Sequence, residues 1–188
     1  MLNQNNQADR CNQIGYSEMT IVYTIGYEGT DIDRFVVTLK AVGVRVLADV
    51  RAVALSRKKG FSKKSLKARL ESEGITYLHF VDLGDPKPGR EAARAGQYGK
   101  FREIYSRHLR TDKAKGALGE LAGVVEEHAT CLLCFERDPT VCHRSIVGEK
   151  LKTAGVDVFD LYGDLPSRYA NHAAKFASRH SRQGAAAA

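Results

Sequence analysis

The feature that most constrains this sequence is a repeated alternation of short apolar runs with longer segments of helical periodicity. Five runs have the β-branched and aromatic composition of strands, namely residues 20–25, 44–50, 75–80, 130–135 and 156–161. Several of the segments between them carry apolar residues three and four positions apart, the spacing of an amphipathic helix. Such alternation favours parallel strands. We therefore predict an α/β fold, a single-domain, three-layer Rossmann-like sheet of about five mostly parallel strands.

The composition changes at both ends of this pattern. Residues 1–19 are polar and lack the apolar core of a signal peptide, so they are interpreted as an N-terminal extension. The α/β domain is predicted over residues 20–165 and a basic tail over 166–188. Residues 83–97 contain two prolines among glycines and alanines, which predicts an irregular surface excursion. No apolar run reaches the roughly 20 residues that a bilayer requires, so no membrane partner is expected.

The net charge and the cysteine content limit the kinds of partner and the cellular compartment that we expect. The formal net charge of +7 is concentrated in residues 57–69 and 168–182. A localised basic surface attracts nucleotides or nucleic acid, although a solvated lysine-rich helix face would give the same composition. Three of the four cysteines fall within residues 131–142. They predict thiols for packing, metal or catalysis in a reducing, cytoplasmic compartment, and not a disulfide framework.

Polar residues follow the predicted strands at their carboxyl ends, where α/β sheets bind ligands. Tyr27 follows the first strand, Asp49 and Arg51 end the second, and the segment 134–144 follows the fourth. Asp49 and Arg51 could form a structural ion pair, or a base beside a phosphate clamp. We therefore expect a site at this edge of the sheet.

The segment CHR begins the helix after the fourth strand. The free amides of a first helical turn favour an anion, and they also favour a thiolate at Cys142 with His143 beside it. Arg144 could clamp a phosphate or carboxylate there. Glu136 shares one side of the strand with Cys134. It could act as a general acid or base, or form an ion pair that fixes the loop.

Two further motifs point to ligands more weakly. The loop that carries Ser56, Arg57 and Lys63 around Phe61 suits backbone phosphates and one stacked base. The donors of Cys134, Glu136, Cys142 and His143 could bind a metal ion, but their spacing is not a standard zinc pattern, so no metal is predicted. The glycine spacing of TIGYEG does not form a dinucleotide fingerprint, and no cofactor is predicted.

Four sequence blocks resemble one known family: TIGYEGT at Thr24, DVRAVALSRKKGFSK at Asp49, GITYLHFVDLGDP at Gly74 and LLCFERDPTVCHR at Leu132. Together they resemble the domain-of-unknown-function family 488. The resemblance implies a compact α/β fold and a shared polar cluster at Asp49, Arg51, Ser56, Arg57, Cys134, Glu136, Cys142, His143 and Arg144. It also implies action on nucleic acid or nucleotides. Ala54 departs from the family pattern, which often has proline there.

These features together predict an enzyme that acts on a nucleotide or a nucleic-acid-linked substrate. It would be a hydrolase or transferase, with cleavage of a glycosidic bond as one form of the chemistry. The expected catalytic residues are Asp49, Glu136, Cys142 and His143. The expected substrate-binding residues are Tyr27, Arg51, Ser56, Arg57, Lys63 and Arg144. The alternatives are a nucleic-acid or nucleotide-binding module without turnover, and a cysteine-based redox or metal-binding protein.

Overall fold

A computed structural model of the chain describes residues 20–153 and 155–170. Within them, five strands form one sheet in the order β3-β2-β4-β1-β5. Their bounds are β1 Thr20–Gly26, β2 Val46–Asp49, β3 Thr76–His79, β4 Thr130–Cys134 and β5 Val156–Tyr162. Every neighbouring pair is parallel. The predicted single-domain α/β fold is therefore confirmed.

Helices cover both faces of this sheet. Their bounds are α1 Ile32–Ala41, α2 Lys63–Glu71, α3 Lys87–Arg94, α4 Tyr98–His108, α5 Asp112–Glu127 and α6 His143–Lys152. The first two helices pack on one face, where Phe35 and Leu66 join a common apolar cluster. The other four pack on the opposite face, where Tyr105, Leu121 and Val147 join a second cluster. The sheet and the helical layers on its two faces are the three layers that the alternating sequence predicts.

The sheet order places a crevice at the carboxyl end of β4. This strand lies between β2 and β1 and is buried along its whole length. The chain leaves β1 and β2 toward α1 and α2 on one face, whereas it leaves β4 toward α6 on the other face. Loops that diverge from neighbouring parallel strands leave a crevice between them, which is the usual ligand site of such sheets. The segment after Cys134 therefore lies where sheets of this kind usually bind ligands.

One element differs from the sequence expectation. Residues 83–97 were expected to be irregular, but they contain the α3 helix, so that prediction is wrong there. Pro88 lies in the first turn of α3, where its missing amide removes no intrahelical hydrogen bond. Ala92 is buried and packs within the second apolar cluster. The prolines therefore mark the start of a helix and do not prevent one.

Neither terminal extension can be compared with its prediction over its full length, since residues 1–19 and 171–188 lie outside the described ranges. The first residues of the predicted tail form a short 3₁₀ turn, Pro166–Tyr169. The Tyr169 side chain is buried, and its hydroxyl accepts a hydrogen bond of 2.9 Å from the Tyr162 amide. None of the helices described combines the length and apolarity that crossing a bilayer requires.

Gly26, at the end of β1, allows the closest backbone approach at this edge of the sheet. A Cβ atom at that position would lie 1.8 Å from the carbonyl oxygen of Glu136. Both groups are backbone, so neither can move aside as a flexible side chain would. Glycine is therefore required where β1 meets the loop that follows β4.

We predict that Gly26→Ala lowers the free energy of unfolding by about 2–4 kcal/mol, because the methyl group would displace the loop backbone. Chemical denaturation measures this change. Gly116→Ala on α5 is the control, since a Cβ there meets no atom of the described chain within 4 Å. The control should be neutral or stabilise by up to about 1 kcal/mol. A Gly26→Ala protein as stable as wild type would contradict the prediction.

Candidate functional site

A cavity of about 160 Å³ opens to solvent beside the carboxyl end of β4. Its walls come from the loop after β3, from α3 and α4, and from the turn between β4 and α6. They contain Asp85, Arg90, Ala93, Arg94, Tyr98, Phe101, Glu136, Val141, Cys142 and His143. Three of the four residues that sequence analysis expects to be catalytic thus lie at one cavity.

Two thiols and one imidazole meet at the base of this cavity. Strand β4 ends at Cys134, a short 3₁₀ turn returns the chain, and Cys142 then caps the start of α6. The Nδ1 atom of His143 lies 3.7 Å from Cys134 Sγ and 4.0 Å from Cys142 Sγ. Its Nε2 atom lies 2.7 Å from the Val50 carbonyl oxygen and donates to it. In the neutral ring, Nδ1 therefore carries a free lone pair that points toward the sulfurs.

The surroundings make the two thiols unequal acids. Burial opposes ionisation of Cys142, but the hydrogen bond from Cys134 and the neighbouring His143 and Arg144 cations lower its pKa well below the usual value. The pKa of Cys134 is raised well above the usual value by its hydrogen bond to Cys142 and by burial. Although burial disfavours the charged ring, the Cys142 charge raises the pKa of His143. Cys142 is thus the thiol that ionises first.

Glu136 lies at the mouth of this group. Its Oε2 atom is 3.2 Å from Cys134 Sγ, so the thiol can donate a hydrogen bond to the carboxylate. Burial and the nearby Cys142 charge raise the pKa of Glu136. The strand geometry that predicts Cys134 and Glu136 on one side is consistent with this contact.

Asp85 supplies a second carboxyl group to the cavity, and sequence analysis did not single it out. Its side chain is 5% exposed. Within the described residues, its Oδ1 is the one buried side-chain nitrogen or oxygen without a hydrogen-bond partner. Burial raises its pKa to about 6. A Cβ atom on Gly89 would lie 2.1 Å from this Oδ1, so the first turn of α3 is shaped around the carboxylate.

Positive charge reaches the cavity from α3. Arg90 is half-buried and donates a hydrogen bond to the Asp85 carbonyl oxygen, and Arg94 is exposed one turn later. Tyr98, at the start of α4, is 44% exposed on the same wall. Sequence analysis missed the two arginines because it expected an irregular excursion over residues 83–97. The available signal was the Gly84-Asp85-Pro86 segment, which follows the short 3₁₀ turn Val81–Leu83 after β3.

Asp49 and Arg51 lie on the other side of the sheet, within the layer that α1 and α2 cover. The Arg51 guanidinium contacts the Asp49 carboxylate at 2.6 and 2.8 Å. It also donates to the Tyr27 hydroxyl and to the Phe61 carbonyl oxygen, while the Tyr77 hydroxyl donates to Asp49. All of these groups are buried and none lines the cavity. The geometry is that of the structural ion pair, one of the two alternatives left open above.

The remaining expected binding residues also lie away from the cavity lining. Arg144 is fully buried and donates to Thr24 Oγ1 at 3.1 Å and to the carbonyl oxygens of Glu136 and Arg137. Ser56 exchanges hydrogen bonds with Ser62. The other two, Arg57 and Lys63, are exposed, and Lys63 Nζ lies 3.1 Å from His79 Nδ1.

The aromatic ring expected to stack on a base is not accessible. Phe61 is fully buried and stacks on Tyr27 with 4.5 Å between the ring centroids. The basic loop therefore presents cations without this platform.

The thiol and imidazole group could hold a metal ion. The Sγ atoms of Cys134 and Cys142 and a ring nitrogen of His143 all lie within 4.8 Å of one another. Thiolate and imidazole are the donors that zinc prefers.

The sequence was compared with known families and proteins. A family model described as a domain of unknown function, DUF488, matches residues 31–151. The chain belongs to this family. No significant match was found among curated proteins or among solved structures. The DUF488 match runs from α1 into α6, so it contains every residue that lines the cavity.

We predict that Asp85→Asn stabilises the protein in a pH-dependent way. The folded-state pKa of Asp85 is raised, so wild type loses stability as the pH rises from about 4 to above 6, where the buried group must ionise. The amide variant carries no such cost. Denaturant unfolding at pH 4 and pH 7 should show the variant gaining up to about 3 kcal/mol over wild type at the higher pH. A stability difference that is the same at both pH values would contradict the assignment.

Proposed function

We propose that this DUF488 protein is an enzyme, a hydrolase or transferase, that acts on a nucleotide or on a nucleotide unit of a nucleic acid. The observation that carries the proposal is Asp85, which lines the open cavity and whose buried Oδ1 atom has no hydrogen-bond partner among the described residues. An unsatisfied buried polar atom costs about 1–3 kcal/mol, and functional sites are where such costs are retained. A donor group of a bound substrate would remove this cost.

The cations beside Asp85 support an anionic substrate. Arg90 and Arg94 lie on the cavity wall. A guanidinium binds phosphate with two parallel hydrogen bonds, so the pair suits the phosphate of a nucleotide. The exposed ring of Tyr98, on the same wall, offers a surface on which a base can stack. The net charge of +7 would favour the approach of such a substrate.

Two carboxyl groups at one cavity support cleavage at the glycosidic bond. In the hydrolytic form, the oxygen of water bonds to C1′ while the bond from C1′ to the base nitrogen breaks. The electron pair of that bond stays with the base, which takes a proton from Asp85, and Glu136 accepts the proton that water loses. Asp85 suits the donor role because its pKa of about 6 keeps part of it protonated near neutral pH.

The experiment compares wild type with Asp85→Asn and Glu136→Gln on a panel of nucleoside monophosphates and short single-stranded oligonucleotides. Released base and released phosphate are both measured by chromatography. We expect base release by wild type and a loss of about 100-fold or more in kcat for each carboxyl variant. Arg94→Ala should mainly raise KM, because it removes a phosphate contact.

Asp82→Asn and Lys113→Ala are the matched controls, since both side chains are exposed and neither lines the cavity. Both should retain wild-type kinetics. Full activity of Asp85→Asn and Glu136→Gln would overturn the proposal. Binding that weakens with salt, without turnover and without dependence on either carboxyl group, would instead identify a nucleic-acid or nucleotide-binding module.

A further inference from the structure

We propose that Cys134, Cys142 and His143 form a binding site for one Zn²⁺ ion at the base of the cavity. The site lies in the same cavity as the proposed reaction, and its role in turnover rests on that proposed function. The existence of the zinc site does not rest on that function, because it is inferred from the positions of three donor atoms that come from two different elements.

The distances suit the coordination shell of zinc. Tetrahedral zinc holds sulfur at about 2.3 Å and nitrogen at about 2.0 Å, which places neighbouring donor atoms about 3.5–3.8 Å apart. The His143 Nδ1 atom is 3.7 Å from one sulfur and 4.0 Å from the other. The two sulfur–nitrogen distances are thus within about half an ångström of those in a zinc site, and all three donor atoms lie within 4.8 Å of one another.

The imidazole is already oriented as a ligand. Its Nε2 atom donates to the Val50 carbonyl oxygen, so the lone pair of the neutral ring is on Nδ1 and faces both sulfurs. Histidine ligands of metals almost always donate their other ring N–H to such an acceptor, which fixes the tautomer and the ring orientation.

The backbone that carries the donors is fixed on both sides. Cys134 is the last residue of the central strand, and Cys142 directly precedes the α6 helix, which packs on the sheet. Arg144 ties the intervening turn to β1 through its hydrogen bonds to Thr24 and to the carbonyl oxygens of Glu136 and Arg137. This rigidity explains why an interval that fits no standard zinc motif can still bring the donors together.

Two of the three donor residues, Cys142 and His143, line the cavity together with Glu136, so a fourth coordination position would be open to it. Three protein ligands with an open position are typical of catalytic zinc, and a bound ion would supply a polarised water or a Lewis acid at the substrate. Two thiolates and a neutral imidazole also balance the ion's charge within this buried site.

The test uses the full-length protein, first stripped of metal with a chelator and then titrated with Co²⁺ alone. We expect one Co²⁺ per chain with a near-ultraviolet thiolate-to-metal charge-transfer band, which Zn²⁺ should abolish by displacement. Cys134→Ala, Cys142→Ala and His143→Ala should each weaken binding by about 100-fold or more. Binding to wild type should also release protons, because thiol protons leave as thiolates form.

Cys131→Ala is the matched control, because Cys131 is a buried cysteine of the same strand that lies among the residues under α1 and α2. It should keep the band and the affinity. X-ray absorption on zinc-loaded wild type gives a readout that does not depend on the variants folding. It should show two sulfur neighbours at about 2.3 Å. A shell of nitrogen and oxygen alone, or a charge-transfer band unchanged in all three alanine variants, would overturn the site.

The two proposals fail separately. Turnover of a nucleotide by a protein that shows no thiolate band when Co²⁺ is added would leave the proposed function and remove the zinc site. A full thiolate band in a protein that turns over no member of the panel would leave the zinc site and remove the proposed function.

Discussion

The hydrogen bonds of the Arg144 guanidinium hold this molecule's site together. The group is fully buried and is satisfied by one hydroxyl of β1 and by two carbonyl oxygens of the loop after β4. An arginine can be buried in this way because its planar donors match several acceptors at once, whereas an unpaired guanidinium would carry a large desolvation penalty. Together with the close contact of Gly26 against the same loop, this anchoring decides where Glu136, Cys142 and His143 lie.

The parallel sheet separates two polar clusters that the sequence places side by side. Asp49 and Arg51 end β2 with their side chains on the α1 and α2 face, where each donor and acceptor finds a partner. Cys134 and Glu136 lie on the opposite face, beside an open cavity. The first cluster is satisfied and closed, which is what a buried ion pair needs to be tolerated. The second cluster lies beside Asp85, whose buried Oδ1 atom has no hydrogen-bond partner among the described residues.

Much of this architecture could be predicted from the sequence, because the period of apolar residues differs between strands and helices. The same alternation places Cys134 and Glu136 on one side and separates Cys131 from Cys134. It also could have placed Asp49 with Leu47 on the closed face, but only once the direction of each crossover is known. Asp85 was missed for a different reason. Its role comes from burial by α3, whose prolines and glycine favour an irregular reading of the sequence although they fit the start of a helix.

The charges around the cavity bear on both proposals. Asp85, Glu136 and an ionised Cys142 all add negative charge to a small space, and such a site repels a phosphate. Arg90 and Arg94 offset part of that charge from one wall. A divalent cation bound by the two thiols would offset more of it from the base of the cavity. It would also keep Cys134 as a thiolate, although burial and its neighbour otherwise raise its pKa. An anionic substrate and a thiolate-bound cation therefore support each other in this cavity, since each makes the charge of the other easier to accommodate.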